Sequence, residues 1–201
     1  MDLSKNRVNP RPAPESGGPA PGRRYGGIDK DERQRQRRQR LIEAGLAVFG
    51  QKGFHATTVR NVCHHAELTS RYFYESFESM EALFEGVYTH VNAELMRRTL
   101  AALQSAPMVP EKLAEDALRA FLTFIQEDPH RARVVLIDAL TVGAGASRIS
   151  NESNKDFARQ IASFIEMLNP TLAKDTGINP VLIANGLLGA NVRIATVWVE
   201  E

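Results

Sequence analysis

The chain has 201 residues, 43% of them apolar, and a mean hydropathy of −0.29, enough apolar material to bury the core of one large domain or two small ones. Its net charge of +1 hides a split: residues 1–60 hold 13 of the 25 basic side chains and 6 of the 24 acidic ones, so a basic front precedes an acidic back, as expected when one end meets a polyanion. The single cysteine, Cys63, excludes an internal disulfide or a thiolate metal site, and with no apolar run near the roughly 20 residues of a spanning helix and no charged-then-apolar leader, the expectation is a cytoplasmic protein with no membrane partner.

Residues 1–28 contain five prolines and five glycines with few large apolar side chains, which makes them a flexible basic arm. Regular structure is predicted to begin at "DKDERQRQRRQRLIEAGLAVFGQKGF", where Asp29 and Glu32 fit a capping box. Leu41, Ala44, Gly45, Val48 and Phe49 then recur at helical spacing until Gly53 ends the run. Next, "TTVRNVCHHAEL" reads as a short helix capped by Thr57 or Thr58, with Val59, Val62 and Cys63 on one side. A turn at Glu67 and Leu68 leads to a second short helix capped by Thr69. Two short helices joined by a brief turn and braced by a longer one describe a helix-turn-helix.

Ser79 is predicted to cap a long helix carrying Leu83, Phe84, Val87, Val91 and Leu95, stopped by Pro107 and Pro110. Leu113, Ala117, Leu118, Phe121 and Ile125 mark the next, and Asp128 with Pro129 opens "HRARVVLIDALTVG". The residues "GAGASRISNESN" read as a loop before a helix through Phe157, Ile161, Phe164, Ile165 and Leu168, ended by Asn169 and Pro170. Pro180 opens a last helix, apolar on almost every side, that needs more cover than one small domain offers and so suggests a partner subunit. That helix runs to Glu201 without a terminal cap, which leaves room for a further helix beyond it. No alternating strand pattern appears, so the predicted fold is all-α. The expected division is 1–28 arm, 29–78 helix-turn-helix domain and 79–201 helical domain.

Catalytic constellations are missing from the pattern. His64 and His65 are adjacent on a helix and point apart, whereas metal pairs need three- or four-residue spacing. Asp116, Glu127, Asp128 and Asp138 sit in amphipathic helices, where a solvated face is the ordinary explanation. With no nucleophile elbow, no phosphate-cradling glycine loop and no His/Cys cluster, neither an enzyme nor a bound cofactor or metal is expected.

The stretch "TSRYFYESF" (69–77) is different. At about 100° per residue Phe73 and Phe77 fall about 40° apart and face the core, while Arg71 and Glu75 lie on the far side with Tyr72 and Tyr74 on the flanks. A short helix offering Ser70, Arg71 and Tyr72 at its start has what major-groove readout requires: a guanidinium to bridge guanine O6 and N7, and rings for thymine methyls or phosphates. First-turn amides near Thr69 favour a phosphate.

From Arg38 to Phe84 the chain resembles the DNA-binding domain of the tetracycline-repressor (TetR) family, through "LIEAGLAVFGQKGF", "TTVRNVCHHA" and "LTSRYFYESFESMEALF" in register. The resemblance implies phosphate contacts from Thr58 and Tyr74, and Ser70, Arg71 and Tyr72 in the major groove of double-stranded DNA. Arg60 and Thr69 complete the candidate DNA-binding set, and Arg23, Arg24, Arg33, Arg35 and Arg37 are candidates to follow the DNA backbone. It also implies a homodimer, ligand-responsive and a repressor more than an activator, whose residues past 100 bind a small apolar molecule of unknown identity and dimerise. Phe121, Phe124, Leu136 and Phe164 are the residues available to a cavity there, but apolar residues at helical spacing are usually plain core. Three departures stand out: Glu67 where many members have glycine in the turn, Arg71 where glycine is common, and Met80 in place of a phosphate-contacting lysine. Arg71 beside Tyr72 resembles a subgroup whose recognition helix reads "RYFYESF". The leading alternative is a helical small-molecule-binding protein that kept the fold without regulated DNA binding.

Overall fold

The computed structural model describes residues 30–200. Among these the regular structure is helical: α1 Lys30–Lys52, α2 Val59–Ala66, α3 Ser70–Ser76, α4 Met80–Ser105, α5 Pro110–Glu127, α6 Pro129–Ala132, α7 Ala144–Leu168, α8 Leu172–Thr176 and α9 Pro180–Glu200. The expected cap Asp29 and the arm with Arg23 and Arg24 lie outside the described residues. Within α1 the Glu32 carboxylate accepts from Arg35 and Gln36.

The first helix buries Leu41, Ile42, Ala44, Val48 and Phe49, and it ends as its sequence predicts, at Gly53 with φ +79° and its N–H donating to the Phe49 carbonyl at 2.7 Å. Phe49, Phe54 and Phe84 then meet at centroid distances of 5.5–5.7 Å, joining α1 and the turn after it to α4. Gly45 permits this approach, because a Cβ there would stand 2.9 Å from Val87 Cγ2. One continuous apolar core runs from Leu41 through Leu83, Val87 and Phe124 to Ala195. On α5 the buried residues are Leu113, Phe124 and Ile125, so the inward face is rotated from the predicted one toward Phe124, which the Arg98 and Arg131 guanidiniums cover at 5.3 and 4.5 Å.

Three segments depart from the sequence expectation. The helix opened by Asp128 and Pro129, whose carboxylate accepts from the His130 N–H, does not run on as regular α-helix. It widens into a π turn over Arg133–Ile137 and tightens into a 3₁₀ turn over Asp138–Leu140. Both Val134 and Leu136 are buried, a pairing two residues apart that one face of an α-helix cannot supply. Residues 144–154, expected as a loop, form the first half of α7 after a break at Gly143 with φ +139°. Their small polar composition resembles that of a loop, yet Ala146 and Ser150 are buried against α4, with Tyr88 Oη and Ser150 Oγ 3.1 Å apart. The short α8 had no periodic signal in the sequence.

Helix α9 opens at Pro180 as expected and packs along α7. Ala184 and Ala195 are buried, while Leu182, Leu187, Ile194 and Trp198 are exposed by 46–69%. By length and composition alone Pro180–Val199 meets the measure of a membrane span, contrary to the reading of the sequence. That reading sought unbroken apolar runs, and this helix is interrupted by Asn185, Asn191 and Arg193.

Candidate nucleic-acid interface

Helices α2 and α3 cross in front of α1, and the chain between them reverses at Glu67. This is the one non-glycine residue with positive φ among the described residues, at φ 53° and ψ 42°. It closes α2 as glycine would, with its N–H donating to the Cys63 and His64 carbonyls. Arg40 of α1 steadies the bend: Nη2 donates to the Ala66 carbonyl at 2.6 Å and stands 3.5 Å from the Glu67 carboxylate. Cys63 lies beneath as a small buried apolar side chain, and burial raises its thiol pKa.

The start of α2 is fixed by a reciprocal cap. Thr58 Oγ1 accepts from the Asn61 N–H at 3.3 Å, while Asn61 Oδ1 accepts from the Thr58 N–H at 3.1 Å. Asn61 went unrecognised in the sequence because the usual partner in such a box is Glu or Gln; the Thr-x-x-Asn spacing was the available signal. Thr58 and Arg60 are exposed at this end of the helix.

Helix α3 is anchored by its two phenylalanines, with Phe73 fully buried and Phe77 nearly so. Their rings lie 6.1 Å apart, and the Arg38 guanidinium stacks on Phe77 at 4.4 Å. Fixing that face turns the others outward. Thr69, Ser70, Arg71 and Tyr74 are exposed, Tyr74 by 62%. Thr69 occupies the cap position with no side-chain capping bond, so its hydroxyl stays free of that role.

Arg71 is held at its inner edge. Its Nε donates to Glu75 Oε1 at 3.0 Å while its side chain remains 84% exposed. Tyr72 is half-buried beneath Arg37, whose guanidinium lies 4.5 Å from the ring centroid and 3.9 Å from the Glu75 carboxylate. Arg37 therefore stands on α3 as part of a packed cluster. Of the other basic candidates described, Arg35 pairs with Glu32 at 2.6 Å and Arg33 is exposed on α1. Met80, where a phosphate-contacting lysine was missed, packs against the core. Among the described residues no group of three His, Cys, Asp or Glu side chains is placed to hold a metal ion.

This arrangement has counterparts among known proteins. Residues 41–87 match the family model "Bacterial regulatory proteins, tetR family". The chain is 29% identical over 85 residues to the HTH-type transcriptional repressor DhaR of Mycobacterium sp. strain GP1, a match covering 42% of this chain and 43% of that protein. It is 28% identical over 100 residues to the uncharacterized HTH-type transcriptional regulator YdgC of Bacillus subtilis, covering 48% and 51%. The chain thus spans about half the length of these curated relatives. Two solved structures share the fold over most of its length. The fatty acid degradation regulator FadR of Bacillus halodurans aligns with a TM-score of 0.69 at 16% identity, over 82% of this chain and 84% of that one. The FadR of Bacillus subtilis, solved in complex with stearoyl-CoA, aligns at 0.70 and 17%, over 81% and 87%.

Proposed function

We propose that this chain, a tetR-family regulator by residues 41–87 and by the all-helical frame behind them, is a sequence-specific DNA-binding transcriptional regulator, a homodimer that represses until a ligand binds. The observation that carries the reading is the division of α3, with Phe73 and Phe77 sunk in the core and Ser70, Arg71 and Tyr74 on the open side. A helix so anchored holds a guanidinium at a fixed height, as bidentate reading of guanine requires. Thr58, Arg60 and Thr69 flank it as phosphate contacts, and Tyr72 with Arg37 stacked on it forms the inner wall of the contact surface. Arg33, Arg35 and the arm residues Arg23 and Arg24 supply the salt-sensitive backbone attraction.

Several finer points belong to the same proposal. We read "RYFYESF" as the mark of the recognition-helix subgroup that it resembles, and the resemblance supports a base preference centred on Arg71. The functional division is 29–78 for DNA and 79–201 for ligand and dimer, and the exposed apolar side of α9 is the surface for a second copy. Such a dimer reads a near-palindromic operator with half-sites in successive major grooves. The work is cytoplasmic, where the DNA is, and the family is one of regulators and not of enzymes. The rival reading, a ligand binder without regulated DNA binding, leaned on Glu67 and Met80. Glu67 adopts the left-handed turn that glycine would and Met80 serves the core, so neither distorts the interface.

Selection of bound DNA from a random-sequence pool by the purified protein tests this. The expected product is an inverted repeat with guanine at one fixed position per half-site. Enrichment of no sequence over the starting pool would reject the reading.

A further inference from the structure

Behind the DNA-binding helices, α4, α5, the π turn, α7 and α9 leave a cavity of about 120 Å³. Five of its lining side chains are polar and uncharged: Tyr88, Asn92, Ser150, Asn154 and Asn191. The remainder, among them Phe121, Leu136 and Phe157, are apolar, and among the described residues no Asp, Glu, Lys, Arg or His lines it. Phe124, considered above for this role, is instead covered by Arg98 and Arg131. Three of the polar residues are nine-tenths or more buried, Tyr88 at 2%, Asn92 at 8% and Ser150 at 9% exposure.

Their hydrogen-bonding capacity is only partly used within the protein. Asn92 Nδ2 donates to the Tyr88 carbonyl at 3.0 Å, and Tyr88 Oη donates to Ser150 Oγ at 3.1 Å. A carboxamide offers two N–H donors and an acceptor oxygen, and a serine hydroxyl donates once and accepts twice. The wall of the cavity therefore keeps donors and acceptors in reserve where simple packing would have called for leucine or alanine. Burial also raises the Tyr88 phenol pKa, so this group stays neutral and keeps its donation to Ser150.

Resting on the regulator reading, we propose that this cavity is the effector site and that its ligand is a small neutral molecule, one ring or a short chain in size, bearing a carboxamide, hydroxyl or comparable uncharged hydrogen-bonding head. An anionic head is disfavoured because a desolvated charge needs a counter-charge, and the lining offers none. Coenzyme A thioesters are excluded on the same ground, as their phosphates demand cations. A purely apolar molecule would leave the spare hydrogen-bonding capacity of the Asn92, Asn154 and Asn191 carboxamides unused, which narrows the largely apolar class expected from the sequence.

Thermal melting of the full chain with benzamide, sodium benzoate, toluene and octanoyl-CoA in parallel tests the assignment. Benzamide at ten times its dissociation constant should raise the melting temperature by about 3–6 °C, with the other three weaker by at least tenfold in affinity. Asn92→Leu should abolish the benzamide shift, and Asn154→Leu, at a half-buried position, serves if Asn92→Leu does not fold. Equal response to benzoate, toluene or the thioester would overturn the proposal. So would silence from benzamide, or a benzamide shift that survives Asn154→Leu together with Asn92→Leu. Gel shift on the selected operator without any probe reports DNA binding separately, so failure of the cavity assignment cannot be confused with failure of the regulator reading.

Discussion

Under the proposed function, Arg71 is the side chain expected to carry most of the base discrimination. Its Nε is engaged by Glu75 at 3.0 Å and its outer edge is free, so Arg71→Ala should cost about 1–3 kcal/mol on the selected operator and relax preference at one base position. Competition gel shifts against random DNA check this, since equal losses on both DNAs would mean that Arg71 touches only phosphate. Glu67 holds a left-handed backbone for which a Cβ is a penalty of about 1–2 kcal/mol, part of which glycine returns as unfolded-chain entropy. Glu67→Gly should therefore stabilise the protein by about 0.5 kcal/mol in urea denaturation. Much of this surface was legible beforehand, because period alone assigns Phe73 and Phe77 inward and Arg71 outward, and both phenylalanines are buried. What period cannot show is a contact between helices. Arg37 stacked on Tyr72 and Arg40 bonded to the turn depend on how α1 crosses α2 and α3, which no local spacing encodes.

Helices with strong caps and strong periodicity were readable in advance, and those defined by small residues were not. Ser79 caps α4, with its Oγ accepting from the Ala82 N–H at 3.1 Å, and Leu83, Phe84, Val87, Val91 and Leu95 are buried as spaced. The first half of α7 escaped notice because its inward positions are Ala146 and Ser150, which carry little hydrophobic signal but permit close approach. The same logic gives a test between two glycines. A Cβ on Gly50 would collide with the His130 side chain at its root, so Gly50→Ala should push α6 off α1 and cost about 1–3 kcal/mol. At Gly145 the added atom would meet the far end of Glu85, which can swing aside, so Gly145→Ala should be near neutral. Chemical denaturation of the pair decides. Asp138, at the end of the π turn, gives the element a pH signature. Burial, outweighing the Phe54 N–H and nearby Arg133 and His55, raises its carboxyl above the ordinary 3.8. A raised folded-state pKa means that the fold favours the protonated form. Relative to Asp138→Asn, the wild type should be most stable below pH 3.8 and lose that margin as pH rises through the folded value. A margin that grew with pH in paired thermal melts would contradict this.

For the whole molecule, the feature that asks for a second copy is α9. Its exposed Leu182, Leu187, Ile194 and Trp198 form the kind of apolar surface that a monomer seldom leaves open. Ile194→Glu, at a position already 57% exposed, should leave the fold intact, shift sedimentation from dimer to monomer and weaken operator binding at least about tenfold, since two half-sites would no longer be held together. Dimeric sedimentation of that variant would move the interface elsewhere. The arm expected from the sequence belongs to the same scale: if it contacts DNA as proposed, removing residues 1–28 should flatten the dependence of operator affinity on salt. An unchanged slope in binding measured across a salt series would show that the arm takes no part.

The hydrogen bond from the Phe54 N–H to Asp138 Oδ2, 3.2 Å long and buried, bears on how such a protein could be re-engineered. A sensor graft that joins residues 1–78 to a foreign body would strip that amide of its acceptor and take away the Arg133 guanidinium beside Gly53 and the His130 side chain beside Gly50. A modular reader head thus needs more than its own three helices. Carrying residues 129–140 along with it, as a matched socket, is the splice that should keep a chimera soluble and responsive.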